Sequence, residues 1–186
     1  MTRVPAGDER VRHRGDRVAV VERPVAGPEG VRREESARLP PGVRLVVADA
    51  DEVLLLPDGP RGPGAPRWRL PGGPVVDSLP AYEALRGSDR SVRDAADEAA
   101  PRLLRDAVGL EPVRSEHLFA LPAGPGVDAP LRYYLVEKHR AARRAPDEPT
   151  DAAWVDRADV RASCLDGRVP EARSALALLR WLERED

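Results

Sequence analysis

The chain has 186 residues and a mass of 20.3 kDa, with 41% hydrophobic and 33% charged residues. That length favours one domain whose core needs no disulfide. No run approaches eighteen apolar residues and no heptad pattern persists, which excludes a membrane span and a coiled coil. Acids and bases are interleaved and sum to a net charge of -2, so no nucleic-acid footprint stands out.

Lys138 is the only lysine, so arginine supplies nearly all the basic charge. Together with 20 Pro and 15 Gly this reads as GC-rich coding rather than disorder. Cys164 stands alone, which excludes a disulfide framework and a cysteine metal site and leaves a buried structural thiol as its default role. The first twenty residues lack the apolar stretch of a signal peptide, and a cytoplasmic protein is expected.

In chain order, Arg17–Glu22 reads as a strand, Gly27-Pro28-Glu29-Gly30 as a turn, and Val31–Glu35 as the return strand. Val43–Ala48 and Val53–Leu56 flank Asp49-Ala50-Asp51-Glu52, a hairpin signal. Asp58–Pro66 reads as a loop, and Trp68-Arg69-Leu70 leads into Pro71-Gly72-Gly73-Pro74. Ser91 caps a helix with Asp94 in its first turn, and Val92, Ala96, Ala99, Leu103 and Val108 recur near the helical period until Gly109 stops it. Pro101 lies inside that pattern, where proline costs about 3 kcal/mol, so the helix is expected either to kink there or to begin there. Strands follow at His117–Leu121, Arg132–Lys138 and Ala152–Val155. Asp166-Gly167 is a turn, and Pro170 opens a last helix with Ala172, Ala175, Leu176, Leu179 and Leu182 on one face. The expected class is α/β or α+β, divided into an N-terminal β extension over 1–39 and a main domain over 40–186.

Helix carboxylates after a glycine turn carry the chemical signal. Asp94, Glu98, Arg102 and Asp106 fall at steps of four and share a drifting helical stripe. A first-turn acid also complements the helix dipole, and Arg102 can pair with Glu98 one turn earlier. Both ordinary readings stay open beside metal binding.

From Trp68-Arg69-Leu70-Pro71-Gly72-Gly73 to Ala99-Ala100-Pro101-Arg102-Leu103-Leu104-Arg105-Asp106-Ala107-Val108-Gly109-Leu110 the chain resembles the Nudix hydrolases. That family's box runs glycine, five residues, glutamate, seven residues, then R-E-U-x-E-E-x-G-U, with U aliphatic. Arg102, Leu104 and Gly109-Leu110 match it. Asp94 stands at the first glutamate, Leu103 replaces the glutamate after the arginine, and Asp106 and Ala107 replace the glutamate pair. About fifteen extra residues separate Gly73 from Asp94. The N-terminal hairpin, Leu121–Asp128, Pro146-Asp147-Glu148-Pro149 and Leu165-Asp166-Gly167-Arg168-Val169 are similar to the branch that cleaves ADP-ribose and ADP-sugars.

The resemblance implies an α/β/α sandwich with a mixed sheet and an N-terminal hairpin that helps form a homodimer. It implies Mg2+ or Mn2+ on carboxylates, because a pyrophosphate is a poor electrophile until its charge is neutralised. The metal set would be Asp106, Glu98 and Asp94. Arg102 holds the arginine position, and Asp147 and Glu148 lie in the loop where that branch keeps a general base. Gly72 and Gly73 give close backbone approach to substrate, and Trp68 is a stacking residue. Leucine and alanine bind no metal, so the expected activity is recognition of a nucleoside diphosphate-linked molecule with weak or lost hydrolysis. Two alternatives remain: a non-catalytic nucleotide-binding or regulatory module, and an active pyrophosphohydrolase using Glu83, Asp147 and Glu148. No nucleic-acid or membrane partner is expected.

Overall fold

The computed structural model describes residues 4–5, 7–59, 66–122, 124, 126–142 and 151–184. The N-terminal strands β1 (Val4–Pro5), β2 (Arg10–Arg14), β3 (Ala19–Gly27) and β4 (Gly30–Arg38) form one antiparallel group. β3 and β4 are a hairpin closed at the Gly27–Gly30 pair, and Gly30 takes φ 111°, a conformation glycine adopts without a Cβ penalty. Pro24 falls between the part of β3 that pairs with β2 and the part that pairs with β1, so its missing N–H interrupts neither ladder.

The larger sheet follows. Its strands are β5 (Gly42–Asp49), β6 (Glu52–Pro57), β7 (Trp68–Arg69), β8 (Gly72–Pro74), β9 (Leu110–Leu121), β11 (Leu131–Ala141) and β12 (Ala153–Asp156); the short β10 (Val127–Asp128) instead joins β4 in parallel. The order is β12-β6-β5-β11-β9, with β7 on β6 and β8 on β5. Only β5 and β11 run parallel within it, so the sheet is mixed.

Four helices cover the two faces: α1 (Leu79–Arg86), α2 (Val92–Val108), α3 (Arg157–Leu165) and α4 (Ala172–Leu182). On one face Val43, Leu45, Val47, Tyr134 and Val136 pack beneath α1 and α2. On the other, Val46, Ala48, Tyr133 and Leu135 pack beneath Val160 of α3 and Ala177, Leu178 and Trp181 of α4. The alternation along β5 and β11 is the period-two pattern of a strand buried on both sides.

The expected hairpins, the helix opened by Ser91 and the last helix are all present. Several features differ from expectation, among them the unexpected α3 and the inner face of α4, which is Ser174, Ala177, Leu178, Trp181 and Leu182 while Leu176 is exposed. α2 runs unbroken through Pro101, because Ser91 and Asp94 form a capping box, Gly109 ends the helix at φ 68°, and the buried stripe Ala95, Ala96, Ala99, Ala100, Leu103 and Leu104 spans the proline. Burial of that stripe outweighs the one backbone bond that proline removes. The extra residues after Gly73 contain α1, whose hydroxyl cap is Ser78 and whose inner face is Leu79, Tyr82 and Leu85. β9 begins at Leu110 rather than His117; it is the sheet edge, where Pro112 and a polar sequence are tolerated.

An ion network ties the segments of the N-terminal sheet together. Arg38, 2% exposed, donates Nε to Asp128 at 2.8 Å and both Nη atoms to Glu9. Arg23 bridges the same two carboxylates at 2.9 and 2.6 Å. The hydrogen bond from Arg38 is the largest influence on Glu9 and, with Arg23, outweighs burial, holding its carboxyl down to about 2. A carboxyl lowered on folding stabilises the fold fully above its unfolded value of about 4.5 and loses that contribution as pH falls toward 2. The urea midpoint is therefore expected to drop over that window, and Glu9→Gln to shrink the drop; an unchanged profile in the variant would contradict the assignment.

Candidate functional site

The glycine turn and α2 meet at one end of the larger sheet. β8 pairs with β5 through Gly42–Pro74, Val43–Gly73 and Arg44–Gly72. Gly72 takes φ 147°, and a Cβ there would lie 2.1 Å from the Val43 carbonyl oxygen. Only glycine fits. A Cβ on Gly73 would lie 2.8 Å from Cδ2 of Leu103, so the Leu103 side chain is packed directly on the turn.

That contact settles how a divalent metal fits here. By the resemblance, position 103 carries a metal-binding glutamate. Leu103 is buried in the core and offers no oxygen where the helix meets Gly73. The carboxylates of α2 are engaged elsewhere. Asp94 accepts from the Ser91 hydroxyl at 2.7 Å and from the Ser91 backbone, and these bonds lower its carboxyl below its ordinary value. Glu98 pairs with Arg90, and Asp106 lies 3.9 Å from Arg102 in an exposed pair one turn apart. Among the described residues no group of three His, Cys, Asp or Glu side chains could hold a metal. The described residues do not fit Mg2+ or Mn2+, which need several hard oxygen ligands converging on one point.

Arg102 is an exposed helix residue paired with Asp106. Trp68 packs against the core on the α3–α4 side, opposite the face on which Leu103 covers Gly73. Glu83 of α1 pairs with Arg14. Asp147 and Glu148 lie outside the described residues. Cys164 is half-buried, and burial, reinforced by Asp166, pushes its thiol up to about 11, which leaves no reactive thiolate.

A polar group absent from the sequence reading lies on the same α2 face. Tyr134 donates its hydroxyl to Asp97 at 2.5 Å. Burial first, and then Asp97, push the Tyr134 phenol upward, so it remains a donor. His117 meets Tyr134 edge-on at 5.3 Å between ring centroids, and its Nε2 is 3.4 Å from Nη1 of Arg132. Burial, followed by Arg132 and Arg93, lowers the His117 imidazole. Arginine has no acceptor to offer, so a hydrogen bond in that contact uses the lone pair on Nε2. The group is assembled by register, since Tyr134 pairs with His117 across β11 and β9 and Asp97 reaches down from α2. Periodicity marks Tyr134 and His117 as strand residues but does not show which helix residue lies above them.

An open cleft of about 750 Å3 lies at the other end of β5, lined by Asp51, Asp156, Arg157, Asp159, Arg161 and Leu182. Its arginines are engaged: Arg157 donates to the Leu182 carbonyl at 2.6 Å, and Arg161 pairs with Glu183 at 3.2 Å. It is remote from the glycine turn and makes a poorer candidate than the α2 face. No helix among the described residues is long and apolar enough to cross a membrane.

No protein-family model and no curated protein sequence matches the chain. Solved structures do. One is the crystal structure of an ADP compounds hydrolase, with a TM-score of 0.67 and 20% identity, covering 100% of this chain and 94% of that one. Another comes from work on MutT of the fish pathogen Aliivibrio salmonicida and of Vibrio cholerae, with a TM-score of 0.50 and 14% identity, covering 80% of this chain and 99% of that one. At these identities the likeness establishes architecture: the chain has the mixed α/β fold of the Nudix hydrolases.

Proposed function

We propose that this Nudix-fold chain recognises a nucleoside diphosphate-linked small molecule on the α2 face of its larger sheet and does not hydrolyse it through a metal. The observation that carries the reading is Leu103, buried against Gly73 where the metal-binding chemistry requires a carboxylate. A hydrocarbon there neither neutralises a pyrophosphate nor activates water. The retained glycine turn and the neighbouring polar group support binding at the same place. The ADP compounds hydrolase with this fold supplies the ligand class.

Ligand binding to the native state alone raises apparent stability, by about 2.7 kcal/mol at a hundredfold excess over Kd. ADP-ribose is therefore expected to raise the thermal midpoint equally with a chelator and with Mg2+. No shift with either, across ADP-ribose and ADP-sugars, would reject the binding reading.

Residues 1–39 are assigned by the same proposal to a homodimer contact. Val11 on β2, Val18 just before β3 and Val31 on β4 are exposed, which supports an apolar contribution from that side. Sedimentation of the full chain as a monomer at micromolar concentration would reject it.

A further inference from the structure

We infer that Arg132 and His117 form an oxyanion subsite that takes a phosphoryl group without a metal. The inference rests on the proposed ligand class only in joining this subsite to a nucleotide; its anion chemistry stands on the geometry.

Tyr134 and Val136 face α2, and Leu131, Tyr133 and Leu135 face the opposite side, so alternation puts Arg132 on the α2 face. The contact with His117 agrees. Arg132 pairs in register with Val43, and Val43 with Gly73. The row Gly73–Val43–Arg132 therefore runs straight across the sheet, with Arg132 two strand spacings, about 10 Å, from the glycine turn.

The guanidinium is incompletely satisfied. Its Nη1 reaches only the weak contact with His117. Its Nε is buried with no hydrogen-bond partner. No carboxylate among the described residues lies within ion-pair distance of it, and Nη2 has no acceptor among them. Nε is enclosed by the protein, so Nη2 is the donor through which an anion from solvent can be met. An enclosed, unpaired Nε is costly for the charged side chain, and an anion held at Nη2 offsets that cost. Asp97 does not supply that charge, being engaged by Tyr134 and 3.9 Å from Arg93. Arg93 and Arg132 thus stand against one carboxylate, an excess of positive charge suited to a multiply charged phosphoryl group. His117 contacts the guanidinium through Nη1 and leaves Nη2 open.

The test is titration of the full chain with sodium pyrophosphate in the presence of a chelator, followed by thermal denaturation and 31P line width, with sodium acetate at matched ionic strength as the control. Pyrophosphate is expected to raise the midpoint and broaden the 31P line while acetate does neither. Arg132→Gln is expected to weaken binding at least tenfold, and His117→Gln two- to fivefold. Should Arg132→Gln fail to fold, Arg132→Lys keeps the charge, loses the Nη2 donor, and is expected to weaken binding at least fivefold. The subsite is rejected if pyrophosphate has no effect, if acetate works equally well, or if the Arg132 variants bind like wild type. A pyrophosphate-inert wild type destabilised by Arg132→Gln would show that the guanidinium serves the fold alone, which also rejects the subsite. An ADP-ribose arm separates the two proposals. Binding of ADP-ribose that ignores Arg132 sinks the subsite alone, and Arg132-dependent pyrophosphate binding with no response to ADP-ribose sinks the nucleotide reading alone.

Discussion

Gly72→Ala is expected to destabilise the chain by about 3 kcal/mol or more, read as a fall in the guanidinium chloride midpoint. Two costs add. The φ of 147° is one that L residues rarely adopt, with a strain of order 1–3 kcal/mol. The new methyl would also stand 2.1 Å from the Val43 carbonyl oxygen, and that atom is backbone in the paired strand β5, so it cannot rotate away. Relief requires β8 to separate from β5, which moves Gly73 away from Leu103 and breaks the row that leads to Arg132. Ligand-dependent stabilisation is expected to fall together with stability. A Gly72→Ala chain within 0.5 kcal/mol of wild type would show that the close approach is not a constraint.

Arg38→Met carries the second large effect, also about 3 kcal/mol. Methionine fills much of the arginine's volume, so the loss reports charge rather than cavity. Glu9 and Asp128 would then face each other with Arg23 as their remaining partner, and removing one member of a buried ion network leaves the others uncompensated. Arg102→Ala makes the contrast. Its pair with Asp106 is exposed, 3.9 Å long and one helical turn apart, and is worth at most about 0.5 kcal/mol. Equal losses in the two variants would contradict the reading of Arg38 as the residue that locks β4 to the segments carrying Glu9 and Asp128.

Much of this architecture is legible in the residues themselves. Gly27 and Gly30 mark a hairpin that strand pairing then extends, and Ser91 and Gly109 mark both ends of α2. α1 is harder to see, because eight residues flanked by Ser78 and Gly87-Ser88-Asp89 look like loop until Leu79, Tyr82 and Leu85 are placed over the core. The short α3 is hidden similarly, with only Val160 and Ser163 buried. For the candidate site, the double glycine and the loss of box glutamates at Leu103 and Ala107 are readable directly. Spacing also puts Asp94, Glu98, Arg102 and Asp106 on one stripe correctly. It does not show that this stripe faces solvent while Leu103 faces Gly73, since the helix phase is set by the alanine-rich side that the sheet buries. Arg132, His117, Tyr134 and Asp97 come from three separate elements, and only the β9–β11 register and the overlying helix bring them together.

Leu103 on Gly73 therefore carries the functional account. Metal-dependent turnover of a nucleotide pyrophosphate is the property that, on the proposed function, this contact removes, and it can be measured in one experiment. The full chain is incubated with ADP-ribose and millimolar Mg2+ or Mn2+, and 31P NMR follows the appearance of AMP against a protein-free control. The account predicts AMP at the control rate with both metals, from a sample whose thermal midpoint ADP-ribose nevertheless raises. Metal-dependent release of AMP above that control, abolished by a chelator, would contradict it.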